Sequence, residues 1–73
     1  MKPGEAIIEA ARKQAEGQVA IHLANIQVYL TMPAGIGEHP DVVEAVESQI
    51  EIIANAEDKL HAIHNHFGHG IEK

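Results

Sequence analysis

The helix-breaking residues of this chain gather in one place. The stretch TMPAGIGEHPD, residues 31–41, holds Pro33 and Pro40, two of the three prolines, together with Gly35 and Gly37. Proline lacks the backbone N–H that a helix interior needs, and glycine admits backbone angles other residues resist. Long segments patterned at helical spacing lie on both sides, and strand signals are absent. The pattern predicts an all-α chain: one helix over about 4–31, a loop over about 32–39, a second helix over about 40–67 and a short histidine-rich tail over 68–73. Pro40 suits a first helical position and Asp41 adds a negative charge to the first turn, while His39 or Glu38 would stand at the cap. Gly68 and Gly70 stop the second helix. Each helix would be roughly 40 Å long at 1.5 Å per residue. A short connection between them makes an antiparallel two-helix hairpin.

A chain of 73 residues is one domain at most. At this size a fold usually gains stability from disulfides, a metal, oligomerisation or very regular packing. There is no cysteine, so disulfides and thiolate metal sites are excluded; this fits a reducing cytoplasm. The formal charge is −6 and the pI near 5.3. The cations Lys2, Arg12, Lys13, Lys59 and Lys73 form no patch in sequence, which argues against nucleic acid and against an anionic membrane surface. Residues 17–37, GQVAIHLANIQVYLTMPAGIG, carry no charge. Gln18, His22, Asn25 and Gln27 interrupt that run, so it reads as a helix buried by protein on several sides and not as a membrane span.

In the second helix Val43, Val46, Ile50, Ile53, Glu57, Leu60, His64 and Phe67 recur at alternating steps of three and four, a heptad pattern. The opposite face, Asp41, Glu44, Ser48, Glu51, Asn55 and Asp58, is polar and mostly acidic. It reads as a solvated face, and alternatively Asp41, Glu44, Glu51 and Asp58 form a surface for a basic partner. The first helix has two apolar stripes: Ile7, Ala10, Gln14, Gly17, Ile21, Ala24 and Val28, and separately Val19, Leu23, Ile26 and Leu30. One helix can cover only one of them, and a soluble monomer rarely leaves the other bare. A second subunit is therefore expected. The stripe through Gly17 has small residues at alternate positions and is nearly symmetric about Gly17. Self-complementarity of that kind suits an isologous two-fold contact, with two copies of the first helix crossing antiparallel to give a four-helix dimer. Gly17 is otherwise merely tolerated, at a helix cost of about 1 kcal/mol relative to Ala.

The chemistry-bearing residues cluster at the end, in HAIHNHFGHG at residues 61–70. His61, His64, His66 and His69, with Glu57 one turn before His61, have the ring nitrogens and carboxylate that Zn²⁺ or Ni²⁺ accept, and ligands spaced three or four apart share a helix face. Asp58-x-x-His61 opposite Glu9 is the nearest approach to a ferritin-like di-metal motif, although Arg12 would compete for the carboxylates. The plainer reading is that imidazolium complements the dipole at a helix C-terminus, with His64 beside Phe67 and opposite Ile7, and Glu57 reaching Gln14. Six histidines would also carry the charge from −6 toward zero as pH falls through about 6.5, which predicts poor solubility near pH 5. His22 and Asn25 on the first helix, with Tyr29 one turn on, point toward Gln49 as a polar pocket or a register-fixing network. Catalytic templates are absent: Ser48 is the only serine and has no nearby histidine, and there is no P-loop, dinucleotide-binding glycine pattern or HExxH.

The segment VYLTMPAGIGEHPDVVEAV, residues 28–46, with AEDKLHAIHNHF further on, resembles small helical-hairpin proteins of marine tailed bacteriophages. The resemblance spans most of the chain and brings no catalytic residues. It implies a viral accessory or virion-associated product, in the host cytoplasm or in the particle. The reading as a whole is a non-catalytic structural or protein-interaction module acting as a homo-oligomer, with no cofactor; the alternative is a Zn- or Ni-binding bundle.

Overall fold

The computed structural model describes residues 2–31 and 41–68. Helix α1 spans Pro3–Leu30 and helix α2 spans Val42–Ile63, and a single π-helical turn, His64–Gly68, continues α2. The described residues contain no strand. Residues 11–18 of α1 border a groove with residues 59–63 of α2, and Asn25 bonds Gln49, so the helices run antiparallel. The result is a rod of 53 × 17 × 14 Å.

Local chemistry sets the helix ends. Pro3 occupies the first position of α1, where no N–H is needed. Glu5 accepts a hydrogen bond from the Lys2 backbone N–H at 3.1 Å, half of a capping box, and its charge suits the positive end of the helix dipole. At the other end the Gln27 carbonyl accepts both the Thr31 backbone N–H at 3.0 Å and the Thr31 hydroxyl at 2.9 Å. Helix α2 starts later than the proline signal predicts. Asp41 stands at its cap without a side-chain capping bond, and its carbonyl accepts from Ala45 N–H at 2.9 Å. Glu38, His39 and Pro40, the expected start, lie outside the described residues. At the C-terminal end the α-helix stops at Ile63, not Phe67, and the turn through the histidines is π-helical.

The seam between the helices differs from the expected one. Along α1 the inward row is Ile8, Arg12, Ala15, Val19, His22, Ile26 and Tyr29; along α2 it is Val42, Ala45, Gln49, Ile52, Ala56 and Ile63, with Val46, Ile53 and Leu60 at its edge. Among the described residues only Ala15, Ala56 and Ile63 are buried, at 2%, 0% and 8% exposure. The heptad expected on α2 therefore lies on a flank: Val43, Ile50, Glu57, His64 and Phe67 are exposed. Glu57 and Gln14 are both exposed and share no hydrogen bond, and His64 and Ile7 are likewise exposed rather than packed as a flank. The physical reason is the size of the central side chains. Alanine at mid-helix lets two helices approach closely, and the interaxial distance follows the residues at the contact. The row of large residues through Val43 and Ile50 is then left beside the seam and not in it. Ala56→Leu should overpack it and lower the unfolding free energy by about 1–3 kcal/mol. Ala54→Leu, two residues away on the exposed side, should change it by no more than about 0.5 kcal/mol. Urea titrations followed by circular dichroism compare the two, and equal effects would mean the seam runs elsewhere.

Candidate functional site

Three features of the hairpin could carry function: a polar cluster in the seam, the histidine-bearing end, and the apolar residues left outside. The polar cluster joins both helices. His22 Nδ1–H donates to Gln49 Oε1, and Asn25 Nδ2 donates to the same oxygen at 3.1 Å. Because both bonds end on one acceptor, His22 Nδ1 must carry the hydrogen. It does so in the Nδ1–H tautomer. Asn25, Val28, Tyr29 and Gln49 line a shallow, open depression beside it. An open depression encloses little of any ligand, whereas a binding site buries most of its ligand's surface. The cluster ties residue 22 to residue 49 and makes the hairpin's register specific, since sliding one helix by a turn would strand three polar groups.

At the far end Glu57, His61, His64 and His66 are all exposed. Among the described residues no three His, Asp or Glu side chains gather closely enough to hold a metal ion; His69 lies outside those residues. Glu9, the expected partner of Asp58 and His61, instead accepts from Arg12 and lies 3.6 Å from Lys13 Nζ. These are pairs three and four residues apart on one helix, each of modest worth. The His64 ring lies where Gly68 leaves room: a Cβ at residue 68 would come within 3.3 Å of His64 Nδ1. Gly68 does not have a positive φ; it serves the turn by lacking a side chain. His66 meets Phe67 edge to face with ring centroids 6.4 Å apart.

Outside the seam, eight large apolar residues are about half exposed or more: Ile7, Ile21, Leu23, Val28, Leu30, Val43, Ile50 and Phe67. Three of them, Ile7, Ile21 and Val28, belong to the stripe through Gly17. Ala10, Gln14 and Ala24 of that stripe are exposed as well, so α2 leaves the stripe uncovered. Nothing lies within 4 Å of where a Gly17 Cβ would project. Asp41, Glu44, Glu51 and Asp58 are exposed along α2. No helix of the described residues is long and apolar enough to cross a membrane. No protein-family model matches the chain, and no curated protein or solved structure matches it either.

The polar cluster was legible from spacing, because His22 and Asn25 share a helix edge. The exposure of Leu23 and Leu30 beside Val43 and Ile50 was not, since it depends on which row of α1 meets α2. Gln49→Leu should leave His22 and Asn25 without their acceptor and cost about 1 kcal/mol. A double-mutant cycle with His22→Leu should give a coupling of about 0.5–1.5 kcal/mol. Thermal melts of the four proteins measure it, and zero coupling would leave the cluster without an energetic role.

Proposed function

We propose that this chain is a non-catalytic helical module that works by self-association, with the stripe Ile7, Ala10, Gln14, Gly17, Ile21, Ala24 and Val28 as one contact between copies. The observation that carries the reading is the imbalance of the hairpin: among the described residues three are buried, while eight large apolar side chains are about half exposed or more. Burial is the main favourable term in folding and association, and a 73-residue hairpin with so small an interior has most of its apolar surface still to cover. The open space at Gly17 suits close approach of a second helix, and isologous contact of α1 with α1 would place α2 outside, giving four helices from two chains. The exposed carboxylates of Asp41, Glu44, Glu51 and Asp58 would then face outward, available to a basic partner.

Gly17 provides the test. In an isolated hairpin Gly17→Ala meets open space and should stabilise the helix by up to about 1 kcal/mol. At a close crossing between copies, Gly17→Leu should instead dissociate the dimer, and Gly17→Ala should weaken it. Light-scattering mass across a dilution series separates the two cases; a Gly17→Leu dimer as stable as wild type would remove this contact. The same measurement with EDTA, and after adding Zn²⁺, should give an unchanged mass and melting temperature. Loss on chelation with recovery on adding metal would favour a metal-dependent bundle instead, because metal affinity adds to folding.

A further inference from the structure

We draw no further inference here: the strongest candidate, the apolar surface patch of Leu23 and Leu30 on α1 and Val43 and Ile50 on α2, is about half exposed or more, but Glu57 is exposed on the same row of α2 and nothing in the structure shows what covers it.

Discussion

The close approach of two helices at alanine is the constraint from which the rest of this hairpin follows. Ala15 and Ala56 are the most deeply buried residues and sit near the middle of their helices. A methyl group at each position keeps the axes near. Ile8, Val19, Ile26, Ile52 and Ile63 share the seam with the alanines, while Leu23, Leu30, Val43 and Ile50 stand outside it, about half exposed or more. The same seam accommodates His22 and Gln49, whose polar ends reach each other across it and are joined by Asn25. Such a cluster adds less to stability than packed hydrocarbon would, but it penalises every other register.

A thin interior has a consequence for what the molecule can be. Apolar burial supplies about 25 cal/mol per Å², and ordering each residue costs on the order of 1–2 kcal/mol in backbone entropy. A two-helix hairpin with three buried residues among those described has little packed interior to set against that cost. Contact with further protein is the direct remedy for a small chain without disulfides. The hairpin offers exposed apolar side chains for such a contact, Ile7, Ile21, Val28, Val43 and Ile50 among them. The self-association proposed above would draw on the same feature that leaves the isolated chain thinly packed.

The histidine-bearing end looks different once its geometry is known. The sequence places its histidines at spacings that suit a shared helix face, but the π turn from His64 to Gly68 changes the angular step just where those residues fall. The wider turn also needs Gly68, whose missing Cβ makes room for the His64 ring. Nearer the start of the chain, Glu9 is occupied with Arg12 and Lys13 along its own helix. In the fold Glu57, His61, His64 and His66 are exposed near the histidine-bearing end of the long helix.

The sequence by itself determined that the described residues form two long helices, and it placed the start of the first to within about a residue, because proline and capping groups act through local backbone geometry. It also placed His22 and Asn25 where they could meet Gln49, since residues three apart share a helix edge. Only the tertiary structure decided which row of each helix faces inward. The large residues on α2 form a heptad that points to one seam; the buried row lies one residue away, on Ala45, Gln49, Ile52, Ala56 and Ile63. Periodicity reports that an apolar row exists, and side-chain size suggests where the core should be. How near two helix axes come depends on the partner's residues as well, and that information is in neither helix alone. For the same reason the exposed flank that joins Leu23 and Leu30 to Val43 and Ile50 exists only in the folded hairpin.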